Sequence, residues 1–97
     1  MTFEKKKEGT TLYVSLEGRL DTTSAPLLSS ALEEEEGYLD IVFDFEKLDY
    51  LSSSGLRLLV SCRKSLGGKE HVIVRNVNEV VAEIFRVTGF GKQVTVE

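Results

Sequence analysis

Leu39-Asp40-Ile41-Val42-Phe43-Asp44-Phe45 runs through Glu46-Lys47-Leu48-Asp49 into Tyr50-Leu51-Ser52-Ser53-Ser54-Gly55-Leu56-Arg57, and the reading of this stretch decides the fold. Leu39, Ile41, Val42, Phe43 and Phe45 form a near-continuous apolar run, the signature of a central strand buried on both faces. Glu46 to Tyr50 reads as a loop. Beyond the serines, Leu58, Leu59, Cys62 and Leu66 share one broad face at about 100° per residue. A helix is therefore expected from about Ser54 to Leu66, ending at Gly67-Gly68. Arg57, Ser61 and Lys64 lie on its opposite face, and Leu56 and Val60 flank the apolar stripe.

Working outward toward the N-terminus, Thr2 to Lys7 alternates weakly, and Gly9-Thr10 marks a turn. Thr11 to Glu17 then alternates clearly, with Leu12, Val14 and Leu16 facing one way. The two segments predict an N-terminal hairpin. Gly18-Arg19-Leu20-Asp21 leaves the strand. Thr22-Thr23-Ser24-Ala25-Pro26 offers hydroxyl caps and then a first-turn proline, and Leu28, Ala31 and Leu32 follow at helical spacing. Glu33 to Glu36 reads as a solvated acidic end to that helix, with an acidic docking patch as the alternative, and Gly37 stops it. Toward the C-terminus, His71 to Arg75 is a β-branched strand. Asn76 or Asn78 can cap a third helix carrying Val77, Val80, Val81, Ile84, Phe85 and Val87. Thr88-Gly89 ends that helix, Phe90 can fold back on it, and Val94-Thr95-Val96 suggests a last short strand.

The order β-β-α-β-α-β-α-β predicts a single α/β domain over residues 1–97. Its sheet is expected to be mixed but mostly parallel, with right-handed crossovers and helices mainly on one face. The 97 residues carry 41% apolar and 29% charged side chains and a net charge of −4, an ordinary globular mix with no basic excess for nucleic acid or an acidic membrane. No apolar run approaches the roughly 18 residues of a spanning helix, and Met1 to Lys5 has no secretory core. One cysteine, Cys62, and one histidine, His71, exclude an internal disulfide and leave no structural zinc set. Cys62 falls in an apolar helical pattern and reads as a buried thiol. His71 reads as an ordinary strand residue with no carboxylate partner evident in the sequence.

In such sheets, sites gather at the carboxyl ends of the parallel strands. Two loops should meet there: Asp21 to Ser24, and Asp49 to Gly55. Ser52, Ser53 and Ser54 are either a redundant helix cap or an acceptor for phosphate, because a helix start presents free N–H groups and favours negative charge. Gly55 removes a side chain beside Ser54, which would let another protein approach closely. The hydrolase elbow G-x-S-x-G is absent, since Ser52 stands at the first glycine. The phosphate-binding G-x-x-x-x-G-K-[ST] loop is absent too, and Gly67-Gly68-Lys69 closes a helix rather than opening one.

Four pieces in order resemble one family. Gly18-Arg19-Leu20-Asp21 followed by Ala25, Val42-Phe43-Asp44-Phe45, Tyr50 to Leu56, and Thr88-Gly89-Phe90 together resemble the STAS domain of bacterial anti-sigma-factor antagonists, over nearly the whole chain. The resemblance implies a substrate and binding module of the cytoplasm, not an enzyme, without cofactor, metal, nucleic acid or membrane insertion. Its partner would be an anti-sigma factor that is a GHKL-type serine kinase. The unmodified protein would hold that kinase and free sigma. Phosphorylation of Ser54 would release it, and a serine phosphatase would reset the cycle. The contact surface would comprise Asp21, Thr22, Ser52, Ser53, Gly55, Leu56 and Arg57, extending to Ser61 and Lys64. Ser52 stands where the family often has an acid, and many relatives continue into another helix beyond the position of Glu97. The alternative is an unphosphorylated adaptor of the same fold in a signalling or transport complex.

Overall fold

The computed structural model describes residues 1–97. Strands β1 (Thr2–Glu8) and β2 (Thr11–Leu20) form the hairpin; helix α1 (Ala25–Glu33) follows, then β3 (Asp40–Leu51), α2 (Ser53–Leu66), β4 (Val72–Arg75), α3 (Glu79–Thr88) and β5 (Thr95–Val96). The sheet order is β1-β2-β3-β4-β5. β1 and β2 are antiparallel and every other pair is parallel. The predicted class, a mixed mostly parallel sheet with an N-terminal hairpin, is the one observed.

The register explains why the helices share a face. Leu12 pairs with Ile41 and Ile41 with Val72; Val14 pairs with Phe43 and Phe43 with Val74. These rows are fully buried and join one core with Leu28 and Leu32 of α1, Leu58, Leu59 and Cys62 of α2, and Val81 and Phe85 of α3. Phe43 and Phe45 pack with ring centroids 5.9 Å apart. Tyr13, Val42 and Ile73 form the next row and face the uncovered side. Val42 is buried there by its neighbours on the sheet yet lies outside the main core. Leu39, counted in the apolar run, precedes the strand and is exposed.

Both central strands are longer than the sequence pattern predicts. After Ser15↔Asp44 the pairing resumes at Glu17↔Lys47 and Gly18↔Leu48, then at Arg19↔Tyr50 and Leu20↔Leu51. At each shift β3 takes one residue more than β2, the mark of a bulge. The core-facing positions of β3 accordingly run Ile41, Phe43, Phe45, Leu48, Leu51. The spacing changes from two to three where the alternation was expected to end, so Glu46 to Tyr50 belongs to the strand rather than a loop.

The caps sort themselves by reach. Ser52 Oγ accepts from Ser54 N at 3.2 Å and begins α2. Asn78, not Asn76, caps α3: its Oδ1 accepts from Val81 N at 2.9 Å while its amide donates to Leu48 O at 2.7 Å, pinning the helix to the bulged half of β3. Phe90 does fold back, its ring 5.6 Å from that of Phe85. The acidic run is only partly solvated. Lys5 of β1 donates to Ala31 O and lies 3.5 Å and 3.4 Å from Glu34 and Glu35, tying the end of α1 to the hairpin.

Phe43→Ala removes a ring from the centre of the core and should lower stability by about 3–5 kcal/mol. Urea unfolding followed by circular dichroism checks this; a loss under about 1 kcal/mol would contradict the assigned packing.

Candidate functional site

The bulged pairing brings β2 and β3 to an end side by side. Leu20 sits opposite Leu51, and Ser52 N donates to Leu20 O at 2.9 Å. Both strands run parallel, so the Asp21 loop and the serine loop emerge together at their carboxyl ends. Gly55 closes the arrangement from inside. A Cβ built there would lie 2.5 Å from Leu51 Cδ1 and 3.0 Å from Leu20 Cγ. Its missing side chain therefore faces the core, not a partner. This corrects the reason expected from sequence: glycine lets the first turn of α2 settle onto the two strand ends.

The Asp21 loop is a tight polar turn. Asp21 Oδ1 accepts from Thr23 Oγ1 at 2.8 Å, Thr23 N at 3.0 Å and Ser24 N at 3.1 Å. These donors, the Thr23 hydroxyl foremost and the Ser24 amide next, lower the carboxyl pKa to about 2. Ser24 is buried, but its hydroxyl does not cap α1 as expected. It donates to Arg19 O at 2.7 Å and accepts from Asp21 N at 2.9 Å, so it closes the turn instead.

Across from this turn, Ser54 lies half-buried in the first turn of α2. Its Oγ lies 3.1 Å from Thr22 Oγ1 and accepts from Arg57 Nη2 at 3.1 Å. Ser53, Thr22 and Arg57 are exposed, and Leu56 is half-buried. The hydroxyl can be reached from solvent, and its near neighbours are one hydroxyl and one guanidinium. Asp21, Thr22, Ser52, Ser53, Ser54 and Arg57 thus meet at one end of the sheet. Ser61 and Lys64 are exposed on α2, but roughly 10 and 15 Å further along its axis from Ser54 at 1.5 Å per residue. Ser61 lines a cleft of about 110 Å³ with Ser29, Tyr38 and Cys62.

Two neighbours escaped the sequence reading. The Arg19 guanidinium stacks 4.4 Å over the ring of Tyr50, itself 38% exposed, and Arg19 Nε lies 3.8 Å from Asp21 Oδ2. Their pairing follows from the register Arg19↔Tyr50, which only the bulges produce. His71 also differs from expectation. It closes a 3₁₀ turn, Lys69–His71, and its Nδ1 sits 2.8 Å from Asp40 Oδ1. This pair lies at the amino end of β3, the far end of the sheet from Ser54, so no serine–histidine pair is assembled. Cys62 is buried, and burial pushes its thiol up to about 11. No helix is long and apolar enough to cross a membrane.

Comparison with known proteins agrees with this geometry. The STAS domain profile matches residues 2–97. A putative anti-sigma factor antagonist of Bordetella bronchiseptica, BtrV, is 29% identical over 82 residues, covering 81% of this chain and 71% of its own. The anti-sigma-B factor antagonist of Staphylococcus aureus is 29% identical over 79 residues, covering 78% and 73%. Among solved structures, the anti-sigma factor antagonist SpoIIAA in its unphosphorylated form superposes with a TM-score of 0.82 at 21% identity, covering 99% of this chain and 88% of that one. The phosphorylated form from Bacillus gives 0.73 at 20% identity, covering 99% and 91%.

The depressed Asp21 pKa carries a sign. A carboxylate held below its unfolded value near 3.8 adds stability above that value, and the contribution disappears as pH falls through about 2. Asp21→Asn should therefore melt below the wild type at pH 7, and the gap should narrow from about pH 4 and close only below about pH 2. Melting curves across that range check it; a gap at pH 2 as large as at pH 7 would contradict it. Gly55→Ala should cost about 1–3 kcal/mol, because the added methyl must displace Leu51. Denaturant unfolding measures this, and a neutral substitution would place Gly55 outside the packed seat.

Proposed function

From the premise that the chain belongs to the STAS domain family, we propose that it is an anti-sigma-factor antagonist switched at Ser54. The observation that carries this reading is the placement of the Ser54 hydroxyl, at the first turn of α2, reachable from solvent and bonded to Arg57 and Thr22. Unmodified, the protein binds an anti-sigma factor that is a GHKL-type serine kinase, and sigma goes free. The kinase phosphorylates Ser54, the complex dissociates, and a serine phosphatase restores the hydroxyl. The protein acts in the cytoplasm as substrate and binding partner rather than as an enzyme.

The two states differ by a local charge. Phosphate adds roughly −1.5 to −2 charges. At the helix start that charge is tolerated by the free N–H groups and the dipole, so the fold survives. Within a docked interface the same charge displaces contacts and costs desolvation. A loss of about 3–4 kcal/mol weakens binding by two to three powers of ten. The docking surface comprises Asp21, Thr22, Ser52, Ser53, Leu56 and Arg57; we add Arg19 and Tyr50, because Arg19 stacks on Tyr50 and lies beside Asp21. Gly55 contributes backbone only, and Ser61 and Lys64 form an outer rim along α2.

Ser52 favours a second reading, the unphosphorylated adaptor, because a neutral hydroxyl stands where relatives often have an acid. The two readings part at the kinase. Incubation with the cognate anti-sigma factor and ATP should add one phosphate to the wild type and none to Ser54→Ala, read by intact mass. Labelling that survives in Ser54→Ala would move the site elsewhere. No labelling of the wild type, combined with weakened capture by Ser54→Asp, would support the adaptor.

A further inference from the structure

Arg57 lies one turn inside α2, and its side chain runs back toward the helix start, as helical side chains do, placing Nη2 3.1 Å from Ser54 Oγ. The position is electrostatically unfavourable. A helix start carries partial positive charge and favours anions, yet the first turn of α2 has no acidic residue. The rest of the chain does not compensate it. Arg19, Arg75 and Arg86 pair with Asp21, Glu97 and Glu83; Arg57, like Arg63, lies outside these ion pairs, and its hydrogen-bond partner is the neutral Ser54 hydroxyl. Its remaining N–H donors face solvent, with the side chain exposed.

We propose that Arg57 is the residue that turns phosphorylation into release: its free donors hold a carboxylate of the docked anti-sigma factor, and the phosphate on Ser54 takes them away. The proposal rests on Ser54 as the acceptor and adds the partner chemistry and the means of release. In the transfer, an Oγ–P bond forms as the bond to the departing nucleoside diphosphate breaks, and the hydroxyl proton passes to a base on the kinase. The new phosphoryl oxygens then stand where Arg57 already donates. Arginine binds phosphate through two parallel N–H···O bonds, and here the phosphate is tethered three residues away on the same helix. The partner's carboxylate is left buried without its counter-ion, an arrangement that strongly destabilises an interface.

The test uses phosphoserine installed at position 54 by genetic code expansion, so that it does not depend on a kinase. The second pKa of free phosphoserine is about 6. In a ³¹P titration it should lie lower in the otherwise wild-type protein than in Arg57→Gln by about 0.5 or more, with Arg57→Lys between them and melting curves alike. Equal values would overturn the proposal. In binding, Arg57→Gln should weaken the unmodified complex about tenfold and shrink the effect of the phosphate by a similar factor. Phosphate costing the same factor in both backgrounds would also overturn it. Failure of the kinase to label the wild type counts against Ser54 as the natural acceptor, and is read separately from the ³¹P comparison.

Discussion

The pairing of β2 with β3 beyond their two bulges is the constraint on which the site depends. It carries both strands to a common end at Leu20 and Leu51, and so places the Asp21 turn against the start of α2. Without the extra residues in β3, Arg19 would not meet Tyr50 and Thr22 would not reach Ser54. The seat is tight at Gly55, where even a methyl group has no room beside Leu51 and Leu20. Core packing, strand register and the position of one hydroxyl are therefore a single structural fact seen at three scales.

That hydroxyl is well placed to change charge without changing fold. It stands at a helix start, where backbone N–H groups lack intrahelical partners and negative charge is favoured. Around it the side chains are hydroxyls, the Arg57 guanidinium and a carboxylate, Asp21, whose demand for hydrogen bonds is met within its own turn. A rigid scaffold with a local, reversible charge suits a binding module whose affinity must switch while its stability does not. In the proposed reading a phosphate on Ser54 would act at the interface, by withdrawing Arg57 from the partner, rather than on the protein's own core.

Much of this was legible in the sequence because it rests on periodicity. The alternation of Leu12, Val14 and Leu16 and the helical stripe through Leu58, Leu59 and Cys62 gave the core face directly, and the three serines before Gly55 marked the start of α2. What escaped detection depends on register. A bulge changes the spacing of buried residues from two to three, so Leu48 and Leu51 do not look like continuations of Ile41, Phe43 and Phe45. With the register goes the contact across it, Arg19 on Tyr50. The inward direction of Gly55 was illegible for a related reason: sequence shows that a side chain is missing, but not which way it would have pointed. Ser24 lost its expected capping task because the turn before α1 closes on Arg19 O, a partner outside the helix.

The central claim is that one added charge at Ser54 releases the partner while the fold persists. The most direct measurement is calorimetric titration of the anti-sigma factor with two preparations, unmodified protein and protein carrying phosphoserine at position 54, alongside their melting curves. The account predicts affinities separated by two to three powers of ten and closely similar melting temperatures. Equal affinities, or a loss of binding that tracks a loss of folding, would contradict it.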